Sequence, residues 1–129
     1  MANDMRTIKD RGLIPEGAEV TVNPDLCDII PEANKREIRE WLRRHPEFEA
    51  AVWTGDRRPG RTLYSAAAGE RFGAESWSAT ELFRQVYLAA CPERKHTVDR
   101  RSPGFHARNI WTYEGATLKQ IAERAAELP

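Results

Sequence analysis

Two cysteines, three histidines and one dense run of arginines are the residues of this chain whose types can bind or react. By type alone, Cys27, Cys91, His45, His96 and His106 could furnish a tetrahedral zinc set. Only Cys91 and His96 lie close together, and no C-x-x-C anchor exists, so the spacing predicts neither a metal nor a cofactor. Cys91, His96 and Asp99 have the composition of a nucleophile, a base and an orienting group. A free cysteine is more commonly a packing residue. The arginine run is denser. Between Arg94 and Arg108, five cations (Arg94, Lys95, Arg100, Arg101, Arg108) face only Asp99. Phe105, Trp111 and Tyr113 follow at once, and charge beside stacking surface suits a nucleic-acid contact. A second cluster, Arg57, Arg58 and Arg61, has the composition of a hairpin tip.

The same region carries one resemblance. Val98-Asp99-Arg100, then Gly104-Phe105, then Asn109-Ile110, is similar to the middle of HNH-type endonucleases common in phages. That resemblance implies a small metal-assisted phosphodiesterase, with a histidine activating water and the asparagine orienting it. It covers about an eighth of the chain. The third element of the family, a histidine on the following helix, has no counterpart between Thr117 and Pro129. A divalent ion would lose a ligand there, so the resemblance points to a degenerate relative with no catalytic set.

The totals narrow the choice. A length of 129 residues suits one domain able to bury a core without disulfides. Apolar and charged shares of 40% and 31% exclude a disordered chain. Formal net charge is zero, so a nucleic-acid role would have to rest on a local patch, whereas a protein-binding role needs none. Two cysteines are too few for a disulfide scaffold, Met1–Asp10 has no apolar signal core, and no apolar run spans a bilayer. A cytoplasmic protein with reduced thiols and no membrane contact is the expectation. Neither phosphate-loop fingerprint is present.

The elements that would position these residues are legible in part. Residues 1–18 are polar around Ile8, Leu13 and Ile14, and Pro15 and Gly17 break a helix there, which predicts a loosely ordered segment. Val20 and Val22 alternate with polar neighbours, predicting a strand over 19–23. Ile38, Trp41, Leu42 and His45 share one helical face, predicting a helix from Glu32 to Arg44 closed by Pro46. Arg36, Glu40 and Arg44 form its solvated side. Residues 50–54 and 61–65 read as a hairpin around Arg57 and Arg58. The alanine run 66–68 reads as a helix interrupted by Gly69 and Gly73. Ser78 with Glu81 and Thr117 with Gln120 have capping-box spacing, opening two further helices. Residues 109–113 suggest a short strand.

The fold class that results is α+β: one small domain, 1–129, of about three helices packed on a short antiparallel sheet or hairpin. The first functional expectation is a small non-enzymatic binding protein that contacts nucleic acid. Arg57, Arg58, Arg61, Arg100, Arg101 and Arg108 would hold phosphates, with Trp111 stacking or packing beside them. The alternative is a protein-binding module, such as a phage or mobile-element inhibitor or an assembly component, with the same residues as interface anchors. The degenerate HNH-like nuclease stands third.

Overall fold

The computed structural model describes residues 4–26, 30–54, 56, 58, 61–94 and 110–127. Among them are five α-helices and six β-strands, an α+β domain with one core. The strands are β1 (Glu19–Val22), β2 (Ala50–Trp53), β3 (Leu63–Tyr64), β4 (Ser76–Trp77), β5 (Trp111–Tyr113) and β6 (Ala116–Thr117). They form one sheet in the order β4-β3-β2-β1-β5-β6, antiparallel at every pairing. The sheet exceeds the short one expected, because two-residue strands carry too few positions for alternation to show.

Among the described residues there are five helices where about three were expected. The first, α1 (Asp4–Arg11), forms upstream of Pro15 and Gly17, so those breakers never act on it. Gly12, at φ +59, turns the chain out of the helix; the Leu13 N–H donates to the Ile8 carbonyl at 3.1 Å. Ile8 is fully buried, and Arg11 Nη1 donates to the Ala125 carbonyl of the last helix at 2.7 Å. Ile8 and Arg11 thus hold α1 against the domain.

Helix α2 (Glu32–Arg44) has the limits its periodicity indicates. Ile38, Trp41 and Leu42 are buried, and Arg36, Glu40 and Arg44 are exposed. Helix α3 (Ala66–Phe72) is capped by the Ser65 hydroxyl, which accepts from the Ala68 N–H, and ends on Gly73 at φ +87. Helix α4 (Ala79–Ala90) begins where Ser78 Oγ accepts from the Glu81 N–H at 3.1 Å, and a 3-10 turn, Pro92–Arg94, follows it. Helix α5 (Leu118–Glu127) has a complete capping box. Thr117 Oγ1 accepts from the Gln120 N–H at 3.1 Å, and Gln120 Oε1 accepts from the Thr117 N–H at 2.9 Å.

Register decides which residues share a sheet face, since directly opposed residues point the same way. Val20 opposes Ala51, Val22 opposes Trp111, Trp53 opposes Leu63, and Leu63 opposes Trp77. These residues form the inner face, and Trp53, Leu63 and Trp111 are among the most buried side chains. All five helices contribute buried side chains to the described part of the molecule, with α2 and α4 packed together and α1 against α5. No described helix is long and apolar enough to cross a membrane.

Candidate functional site

The hairpin tip carries the second arginine cluster, and within it Arg58 is paired with Asp56. Asp56 accepts from the Arg58 backbone N–H at 2.9 Å and from Arg58 Nη2 at 2.7 Å. Those hydrogen bonds hold the Asp56 carboxyl down at about 2, side-chain contact first, and raise the Arg58 guanidinium. Thr54 supports the turn: its Oγ1 accepts from the Asp56 N–H and donates to the Arg61 carbonyl at 2.5 Å. Lys9 reaches the same end from α1, donating to Thr62 Oγ1 at 2.7 Å. Burial pushes the Lys9 amine down, partly opposed by Asp56. Arg58 thus already has a carboxylate partner, and Arg61 is exposed beside the same carboxylate.

Trp111 is not available for stacking. It is fully buried on the inner face, and its indole Nε1–H donates to the Ala79 carbonyl at 3.0 Å. An indole so placed packs the start of α4 on the sheet. Arg57, Arg100, Arg101 and Arg108 lie outside the described residues, as do Cys27, Lys95, His96, Asp99, Phe105, His106 and Asn109; only the backbone of Arg94 is described.

The strands fix where the two arginine segments join the sheet. The β2–β3 hairpin leaves beyond Trp53, whose N–H donates to the Ala18 carbonyl, at the Glu19 end of β1. The chain re-enters the described structure at Ile110, whose carbonyl accepts from the Asn23 N–H at 2.8 Å, and Trp111 opposes Val22. These points lie at opposite ends of the central strand.

Sequence reasoning missed the outer face of the sheet. Glu19, Thr21, Ala50, Val52, Tyr64, Ser76, Thr112 and Thr117 share it through the registers 19↔52↔64↔76 and 50↔21↔112↔117. None is buried. Thr21 and Thr112 join hydroxyls at 2.7 Å, and the Tyr64 hydroxyl donates to Glu75 Oε2 at 2.6 Å, which raises the phenol. Among these eight strand residues, Glu19 is the one carboxylate and none is a lysine or arginine. Its signal in the sequence was the run of Thr, Ala and Ser at alternate strand positions, which is too short to read before the pairing is known.

No protein-family model, curated protein or solved structure gives a significant match to this chain.

Spacing also failed to anticipate the surroundings of Cys91. Its thiol is buried and meets Asn34, whose Nδ2–H donates to Sγ at 3.5 Å; the Tyr87 hydroxyl donates to Asn34 Oδ1 at 3.3 Å. Burial, then Glu37, push the thiol up to about 12, so it is protonated and a poor nucleophile in the protein as described. His45 sits at the far end of α2, its ring 4.4 Å from that of Trp41 and its Nδ1 3.6 Å from Glu47. Cys91 and His45 therefore do not share a ligand set.

Proposed function

We propose that this chain is a protein-binding module that engages its partner through the outer sheet face. The observation that carries the reading is a six-stranded sheet whose inner face carries the core, while its outer strand positions are rich in hydroxyls, hold one carboxylate and, among the described residues, are not buried. A phosphate backbone needs cations in register, and this face has none. The paired Arg58 and the buried Trp111 weigh against the nucleic-acid reading.

Size argues for the kind of complex. Six strands about 4.8 Å apart and two to four residues long present roughly 300 Å². Stable complexes use about 800 Å² per partner, so a weak, transient contact is the better fit. Tyr64, an exposed aromatic on this face, is its natural anchor.

Photo-crosslinking suits such a contact. A photoreactive benzoylphenylalanine in place of Tyr64, in the full chain within its source cells, should give a discrete protein adduct. The same group in place of Arg36, on the solvated side of α2, should not. The absence of any adduct from position 64, or duplex or single-stranded DNA binding in a low-salt anisotropy titration, would overturn the proposal.

A further inference from the structure

We propose that Glu37, Cys91 and Glu93 form a binding site for one divalent transition-metal ion of the zinc class. The three residues come from separate places: the outer side of α2, the residue that ends α4, and the 3-10 turn after it. Their donor atoms, one sulfur and two carboxylate oxygens, all lie within 4.8 Å of one another. With zinc–sulfur and zinc–oxygen distances of about 2.3 Å and 2.0–2.2 Å, tetrahedral ligand atoms sit roughly 3.5 Å apart. Closing that difference falls to the two glutamates, whose side chains are exposed.

Charge and chemistry point the same way. The two carboxylates stand close together, and neither has an ion-pair partner among the described residues. A divalent cation would remove that repulsion. A sulfur beside oxygens selects zinc or cobalt over magnesium or calcium, which take oxygen alone. The glutamates are exposed to solvent, from which an ion and a water as fourth ligand would come, while the buried sulfur would supply the inner anchor. Behind it, Tyr87 orients the Asn34 amide, and the amide donates to the sulfur. An outer partner of that kind fixes a metal-bound thiolate. Binding transfers the Sγ proton to solvent.

Titration of the reduced full-length chain with Co²⁺ tests the site. The wild-type protein should develop a sulfur-to-cobalt charge-transfer band that saturates at one equivalent and is displaced by Zn²⁺. The band should persist in Cys27→Ser and vanish in Cys91→Ser. Glu37→Gln and Glu93→Gln alter exposed side chains and leave the core intact, so they should fold, as far-UV circular dichroism would verify. Each should weaken Co²⁺ binding tenfold or more. No thiolate band at a tenfold excess of Co²⁺, a band that survives Cys91→Ser, or wild-type affinity in both glutamine variants would overturn the proposal.

Discussion

Trp41→Ala should be among the most damaging single changes in this protein. The indole is 4% exposed, lies 5.1 Å from the Phe48 ring and 4.4 Å from the His45 ring, and carries the Arg71 guanidinium 5.2 Å from its centroid. An aromatic side chain buries about 150–250 Å², worth roughly 4–6 kcal/mol at about 25 cal/mol per Å². That figure is an upper value, because the unfolded chain already hides part of the surface. Aromatic-to-alanine changes in cores cost about 3–5 kcal/mol, and about 4 kcal/mol is the expectation here. Against a total stability of about 5–15 kcal/mol, the variant loses much of its margin. Urea unfolding followed by circular dichroism should show a lower midpoint at an unchanged slope. Arg71→Ala should cost about 0.5–1 kcal/mol in the wild-type background and nearly nothing in Trp41→Ala, since the cation–π contact is then gone. A loss below about 1 kcal/mol for Trp41→Ala would refute the packing of α2 described above.

Two further outcomes follow from local geometry. Asp56, held at about 2 against an ordinary 3.8, contributes stability that is present above about pH 4 and is lost as pH falls toward 2, because its folded-state value is the depressed one; carboxyl NMR titration should show this, and Arg58→Ala should return the Asp56 value toward 3.8. Ser78→Ala and Thr117→Ala each remove a helix cap and should each cost about 1 kcal/mol in denaturant unfolding.

What could be read from the chain divides along physical lines. Helix α2 is thirteen residues long with a continuous apolar face, so periodicity alone set its limits. Ser78 and Thr117 announced their helices because a cap is a local bond between near neighbours. By contrast, β4 and β6 have two residues each and exist only through pairing with partners. The β5–β6 turn places Glu114 and Gly115 at φ +51 and +82, a two-residue hairpin without the usual Asn-Gly or Asp-Gly signature. Helix α1 was hidden because, among its described side chains, Ile8 is the one apolar residue that docks it, and Gly12 was the available signal. The arginines stood out by composition, but composition could not show that Arg58 is paired with Asp56 or that Trp111 faces inward. The outer sheet face and the Glu37–Cys91–Glu93 cluster depend on contacts between distant segments.

We propose recognition through the outer sheet face and not through the arginine-bearing segments. The most direct measurement compares the crosslinking yield from the benzoylphenylalanine at position 64 in two backgrounds. Thr112→Arg places a long cation on the face between Thr21 and Thr117, while Arg100→Ala with Arg101→Ala changes none of the strand residues of the face. With both proteins folded by circular dichroism, Thr112→Arg should abolish the adduct and the double alanine variant should keep it. An adduct lost in the double alanine variant and kept in Thr112→Arg would contradict the proposal.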